Sequence, residues 1–445
     1  MFPIQGNRML EKGNPTKSEA KRPYSGVLLP SLLVVGAAGG FIFGGAFGHH
    51  WSSPEPLFWV GLVSLTGEIF LNLLKLVVIP LIVCSMIAGV ASLGDVRKIG
   101  GMTAYTVIYY ALTTFSAVAL GLILVNVIQP GVGAESAAAG ATVTVVKQTW
   151  FEALFDVIRT MVPPNLIQAA AEGSVLGLIV FSLFFGGLLT TLGERGRRVV
   201  ELAETVNDAL LRFVRIVIWF APLGVFGLVA ARIGQAGGGH AVQEELARLG
   251  KYFVTVLIGL AIHGGIVLPV ILWLLARRNP VRYVGHYTEA LLTAFSTASS
   301  AATLPLTMRC ARQKAALSEQ SAGFVLPIGA TVNMDGTALY EAVAAIFIAQ
   351  AYGIHLSGAQ QVIVLLTATL AAVGAAAIPE AGLVTMVLVL QAAGLPIQGI
   401  GMLLSIDWLL DRFRTTVNVW GDCVGTAAVD ARLGRFAHGM RSNSP

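Results

Sequence analysis

The feature that most constrains the fold is a series of apolar runs of membrane-spanning length. Near Val27–Gly48, Leu57–Leu93, Met102–Ile128, Val175–Leu192, Leu210–Ile233 and Tyr252–Ala276 the chain reaches or nearly reaches the roughly 20 residues a helix needs to cross a bilayer. Lipid offers no water to backbone N–H and C=O groups, so only helices or closed barrels span it, and unbroken runs of this length are helical. Apolar side chains make up 55% of the 445 residues and charged ones 12%, with a mean hydropathy of +0.76, well outside the range of a soluble domain. The chain reads as an all-α polytopic membrane protein.

Lys and Arg near helix ends resist translocation, so their placement orients the spans. "GDVRKIGG" after the second run, "GERGRR" after the fourth and "ARRNPVR" after the sixth are basic, whereas "HHWSSPEP" after the first has no Lys or Arg. Residues 1–26 carry five basic residues against Glu11 and Glu19 without a cleavage signature, and read as a cytoplasmic tail. Arg432, Arg435 and Arg441 put the C terminus on the same side. The net charge of +5 follows from this bias, and no nucleic-acid partner is implied. Cys84, Cys310 and Cys423 lie far apart without a CxxC pair, so packed thiols are expected rather than metal ligands or disulfides.

Beyond about residue 285 the texture changes. "AFSTASSAATLPLT" (Ala294–Thr307) and "TATLAAVGAAAIPEAGLVTM" (Thr367–Met386) are rich in small and hydroxyl residues and carry a proline. Each precedes a helix with polar residues in its middle: "GATVNMDGTALYEAVAAIF" after the first, "DWLLDRFRTTVNVWGD" after the second. This is an internal repeat of interrupted hairpin and polar-centred helix. Backbone freed by such breaks survives in a membrane only where protein buries it or where it lines a watery cavity. Paired interruptions in two halves mark a transporter binding site near the midplane, where helix N-termini favour anions and loose carbonyls favour cations. Surface loops of Ala, Gly and Ser are the plainer alternative.

On a helix, Asp407, Asp411, Arg414, Asn418 and Asp422 form one stripe, with Asp411 to Asp422 spanning roughly 16 Å. Charges at the bilayer centre cost at least about 2.5–3.5 kcal/mol each, so they require partners. One account is a self-neutralising network in which Asp407 pairs with Arg414, and Asp411 with Arg412 or Arg414. That leaves an excess of oxygens at Asn333, Asp335, Thr337, Glu341 and Asp422, a set suited to hard cations. Arg414, planar and always charged, then suits an anionic substrate.

These motifs, densest from Ala290 to Val429, resemble the glutamate/aspartate transporters of the dicarboxylate/amino acid:cation symporter family. The resemblance implies eight transmembrane helices plus two re-entrant helical hairpins with inverted repeats, assembled as a homotrimer. Segment by segment it implies scaffold helices 1–2 over 27–101, transport helix 3 over 102–128, scaffold helices 4–5 over 129–234 and transport helix 6 over 245–279. Hairpin 1 would cover 285–316, helix 7 322–353, hairpin 2 360–396 and helix 8 398–431, followed by a cytoplasmic tail, 432–445. It implies that Arg414, near Thr337, takes the substrate's side-chain carboxylate and that Asp411 takes its amino group. Asn418 and Ser300 would take the α-carboxylate, with help from Thr415 and the backbone of Ser299, Ile378 and Gly382. Sodium would sit at Asn333, Asp422 and the Gly329 carbonyl, with Asn418 close by. A second ion would sit at Tyr110, Thr113, Thr114, Asn333 and Asp335, and a third near Thr331, Ala372, Val373 and Ala375.

Glu341 and Arg412 resemble the animal branch of that family, in which they go with proton cotransport and potassium counter-transport. A carboxyl in a low-dielectric site is a suitable proton carrier. Ala298, Ala377 and Glu380 depart from the usual residues of the two hairpin tips. An uncoupled anion conductance is a further expectation from the resemblance. The loop Gln129–Thr149 is short, and no permitted glycosylation sequon occurs, which points to a bacterial inner membrane. Neutral amino acid or C4-dicarboxylate transport by the same fold is the nearest alternative. A selective channel is a second, which the two hairpins disfavour. An intramembrane serine hydrolase using Ser299 or Ser300 lacks a GxSxG motif, and His263 reads as a packed or pore-side residue, so no enzyme is expected. No cofactor beyond the coupling ions is expected.

Overall fold

The computed structural model describes residues 25–51, 58–91, 101–132, 155, 158–159, 161–172, 175–373 and 381–442. Among them every regular element is helical. Helices α1 (Ser25–Phe47), α2 (Phe58–Ala91) and α3 (Gly101–Ile128) follow the first three apolar runs closely. After α4 (Leu166–Glu172) and α5 (Val175–Thr190) comes a correction to the expected spans. The run Leu210–Ile233 is not one helix but two, α6 (Glu194–Trp219) and α7 (Ala221–Gln235), bent by 59° at Phe220. Pro222, in the first turn of α7, has no N–H to continue the preceding ladder. The sixth run is longer than its apolar part. It comprises α8 (Gly239–Ile262), a π-helical turn at His263–Val267 and α9 (Leu268–Ala276).

The remaining elements are α10 (Pro280–His286), α11 (Thr288–Thr297), α12 (Ser300–Gln313), α13 (Glu319–Val332), α14 (Asp335–Ala351), α15 (Gly358–Val373), α16 (Ala381–Ala392) and α17 (Ile400–Ser442). The polar-centred helix expected at 322–353 is therefore broken at Asn333–Met334 into α13 and α14. Helices α11 and α12 turn back on each other at Ala298, which has a positive φ of 49°, and Ser299 caps α12 by accepting from the Ala302 N–H. Helices α15 and α16 also pack together, their connection at 374–380 lying outside the described residues. Helix α17 runs to Ser442, so it extends into what was expected as a C-terminal tail. Among the described residues four helical stretches are long and apolar enough to cross a membrane, Phe58–Ala91, Gly101–Ile128, Val242–Ala276 and Glu319–Ala351, with the α6–α7 pair as a fifth. Length and composition thus define four or five of the eight expected spans.

Two packing neighbourhoods position the site. In the first, α1 and α2 lie along α7, and α2 also packs on α5 and α6. In the second, α3 lies on α14, while α17 threads between α9, α11, α13 and α14. Helix α14 is buried around nearly its whole circumference, from Asp335 to Ala349, so its polar residues Asp335, Thr337, Tyr340 and Glu341 face protein rather than lipid. The α1–α7 seam is set by glycines at four-residue spacing. A Cβ on Gly40 would come within 2.8 Å of the Phe226 carbonyl oxygen, and one on Gly44 within 2.6 Å of that of Ala230. Small residues let two backbones approach this closely in lipid, where apolar side chains gain nothing by mutual burial.

Overpacking this seam gives the first expectation. Gly44→Leu should lower the stability of the purified protein by about 1–3 kcal/mol, the usual cost of overpacking. Gly61→Leu, at a position where a Cβ meets nothing within 4 Å, should not. Thermal unfolding in detergent compares the two.

Candidate substrate and cation site

The stripe read on the last polar helix is real. Asp407, Asp411, Arg414, Asn418 and Asp422 are all buried on α17. Arg414 is fully enclosed, its Nη1 3.0 Å from Asp407 Oδ1 and its Nη2 3.0 Å from Asp411 Oδ1. The contact with Asp411 has hydrogen-bond geometry, whereas that with Asp407 is an ion pair without good N–H alignment. The guanidinium carbon stands 3.9 Å from the centroid of the Tyr340 ring, a cation–π contact from the neighbouring α14. Gly382, at the start of α16, faces the same guanidinium so closely that a Cβ there would come within 2.8 Å of Nη1. Helix α16 thus reaches Arg414 through a residue without a side chain.

The break between α13 and α14 is satisfied from α17. Asn333 takes extended backbone angles (φ −92°, ψ 99°), and its Nδ2 donates to Asp422 Oδ1 at 2.9 Å and to the Asn418 carbonyl at 3.3 Å. The Gly336 N–H at the start of α14 donates to Asn418 Oδ1 at 2.7 Å, and Asn418 Nδ2 donates to Thr337 Oγ1 at 3.3 Å. A buried amide with no partner costs about 1–3 kcal/mol, so Asn418 is what permits the interruption.

Oxygens converge around this break. Asp335 accepts from Thr114 Oγ1 at 2.7 Å and lies 3.0 Å from His263 Nε2. Tyr110 donates to the Val325 carbonyl, and Thr113 to the carbonyls of Tyr109 and Tyr110. Asn333 Oδ1 is buried without a hydrogen-bond partner. A Cβ on Gly329 would strike the Tyr110 hydroxyl and Asp422, so the glycine keeps a cradle open beside them. Carboxylate, amide, hydroxyl and carbonyl oxygens of this kind are the ligands of hard cations. The buried aspartates Asp335, Asp407, Asp411 and Asp422 also carry more negative charge than Arg414 balances.

The other expected site residues are placed less centrally. Ser299, Ser300 and Thr415 are buried, the two serines where α12 begins. Thr331 is exposed near the end of α13, where its hydroxyl donates to the Ile328 carbonyl, so only its backbone suits a ligand role. Ala372 is buried and Val373 half-buried at the end of α15, while Ala375, Ala377, Ile378 and Glu380 lie outside the described residues. Glu341 is fully buried, with the Thr385 hydroxyl and Arg414 as its polar surroundings. Arg412 does not pair with Asp411. Its Nη1 donates to the carbonyls of Phe295 (3.1 Å) and Ser296 (2.9 Å) at the C-terminal end of α11, tying the first hairpin to α17. Two participants escaped sequence reasoning, Tyr340 beneath Arg414 and His263 beside Asp335. Each is an ordinary residue whose partner lies about 70 positions away, and the HGG of the π-helical turn was the only local signal.

A buried cation between carboxylates, an interrupted helix and an oxygen-lined cradle, all inside a bundle of apolar helices, define a membrane transporter rather than an enzyme. Residues 32–432 match the sodium:dicarboxylate symporter family, and the chain belongs to it. It is 42% identical to excitatory amino acid transporter 3 of Oryctolagus cuniculus over 413 residues, covering 82% of this chain and 78% of the relative. It is 39% identical to an excitatory amino acid transporter of Caenorhabditis elegans over 91% of this chain and 86% of the relative. With excitatory amino acid transporter 2 of Homo sapiens it shares 38% identity over 90% and 78%.

Removing one partner of a buried ion pair leaves the other charge uncompensated, at a cost of about 3–5 kcal/mol. Asp407→Ala should therefore lower the unfolding midpoint of the purified protein well below that of Asp430→Ala, which alters a more exposed cap on Ser318. Equal midpoints would show that the Asp407 contact is not structural.

Proposed function

We propose that the chain is a secondary active transporter that imports L-glutamate or L-aspartate by sodium symport, with proton cotransport and potassium counter-transport. The observation that carries this is Arg414 held between Asp411 and Asp407. An acidic amino acid presents both halves of that pairing: its side-chain carboxylate can replace Asp411 on the guanidinium, and its ammonium can replace the guanidinium on Asp411. Thr337, Asn418, Thr415, Ser300 and the backbone of Ser299, Ile378 and Gly382 would hold the rest of the substrate. The names of the relatives support the same substrate class.

Sodium would occupy the oxygens of Asn333, Asp422, Asn418 and Gly329, those of Tyr110, Thr113, Thr114 and Asp335, and a third set near Thr331, Ala372, Val373 and Ala375. Cations there offset the surplus of aspartates and so favour the substrate's two carboxylates nearby. By linkage, each ligand then raises the other's affinity by the same factor. Glu341 would carry the proton and Arg412 belongs to the same coupling. In the proposed arrangement, 27–101 and 129–234 form a fixed scaffold. The segments 102–128, 245–279, 285–316, 322–353, 360–396 and 398–431 then move past it as an elevator, in a homotrimer of the inner membrane with both termini cytoplasmic. A C4-dicarboxylate without an amino group would leave Asp411 unpaired, which disfavours that reading.

Radiolabelled L-aspartate and L-glutamate uptake into proteoliposomes should require an inward sodium gradient, rise with internal potassium over choline, and vanish in Arg414→Ser. Uptake of succinate but of neither amino acid would overturn the assignment. Glu341→Gln should retain sodium-dependent exchange while losing both the pH and the potassium dependence of net uptake; a variant that keeps both dependences would acquit Glu341 as the carrier.

A further inference from the structure

A groove of about 540 Å³, separate from the site described, runs beside the π-helical turn between α8–α9, α10–α11 and α17. Ala261, Gly265, Pro269, Val281, Val284 and Val417 are among its lining residues. Its polar side chains are committed elsewhere: Thr416 donates to the Arg412 carbonyl and Trp420 Nε1 to that of Gly264. The walls therefore suit hydrocarbon and not a polar solute. Gly265 opens the groove, since a Cβ there meets nothing within 4 Å. The lining of this helix runs from Leu260 to Pro269, a rise of about 14 Å, close to the roughly 15 Å hydrocarbon depth of one leaflet.

One end of the groove is basic. Pro280, Val281 and Val284 line it there, and the adjoining turn and helix carry Arg277, Arg278 and Arg282. Arg278 is engaged, donating to the Ala315 carbonyl and stacking on Tyr283. Arg277 and Arg282 are exposed and make no ion pair among the described residues. A convex lipid-facing surface would hold any bilayer lipid briefly, but a concave apolar slot whose lining residues Pro280, Val281 and Val284 alternate along the chain with exposed arginines can select by charge. Basic pockets between spanning helices bind anionic headgroups in this way.

We propose that this groove holds one acyl chain of an anionic phospholipid, with its headgroup phosphate on Arg277 and Arg282. The inference uses neither the substrate nor the coupling ions, so it stands or falls apart from the transport reading.

Native mass spectrometry of the detergent-solubilised protein, titrated with dioleoylphosphatidylglycerol and with dioleoylphosphatidylcholine, tests it. The wild type should retain one phosphatidylglycerol per chain with a preference of roughly tenfold over phosphatidylcholine. Gly265→Phe fills the groove and should lower retention of both lipids; Gly265→Leu serves if the larger residue impairs folding, judged by the unfolding midpoint. Arg277→Gln with Arg282→Gln should abolish the preference while leaving phosphatidylcholine retention unchanged. Equal retention of the two lipids by the wild type, or retention indifferent to the groove-filling variants, overturns the proposal. So does loss of oligomer on filling the groove, which would assign it to a contact between copies of the chain.

Discussion

A surplus of buried carboxylate over buried guanidinium governs this molecule. Asp335, Asp407, Asp411 and Asp422 sit inside a bundle whose walls are apolar, and Arg414 neutralises only part of their charge. Burying an unpaired ion costs several kcal/mol, so the fold must either supply counter-charges or take them from solution. The protein supplies one arginine, a histidine on Asp335 and a set of hydroxyl and amide donors. The remainder has to be neutralised by protons or by cations, and it is this balance that motivates the sodium sites of the proposed function.

The interrupted α13–α14 helix lies beside the same carboxylates. An intact helix would direct its carbonyls along its own axis, whereas a break turns some of them sideways. Breaking it at Asn333–Met334 frees backbone groups, and the Asn418 side chain and backbone absorb part of that freedom by pairing with Gly336 and Asn333. Thus α17 contributes to the site twice, through its own charges and by stabilising a neighbour's discontinuity. Arg412 repeats the device on the other side by holding carbonyls at the end of α11.

Much of this was legible in the sequence, and the reasons differ from element to element. The Asp407–Asp422 stripe could be read because helical spacing alone puts those residues on one face, and the pairing of Asp407 with Arg414 followed from the cost of lone charge. The turn between α11 and α12 lies in a stretch that stood out by its small residues and proline. The break at Asn333–Met334 did not, because neither residue is a strong helix breaker and its partner, Asn418, is remote in sequence. The bend at Phe220 had a local signal in Pro222, and the close α1–α7 seam had one in the four-residue spacing of Gly36, Gly40 and Gly44. Tyr340 and His263 carried none strong enough, since their roles come from packing against distant chain.

That glycine seam has a consequence for how the molecule tolerates its own chemistry. Where α1 meets α7 through Gly40 and Gly44, backbone touches backbone and small apolar side chains, with nothing in those contacts to ionise and no ion to bind. The seam is electrically silent. A change of protonation or of bound ions elsewhere in the molecule alters no charge in these contacts, so the joint is insulated from the chemistry of the charged helices.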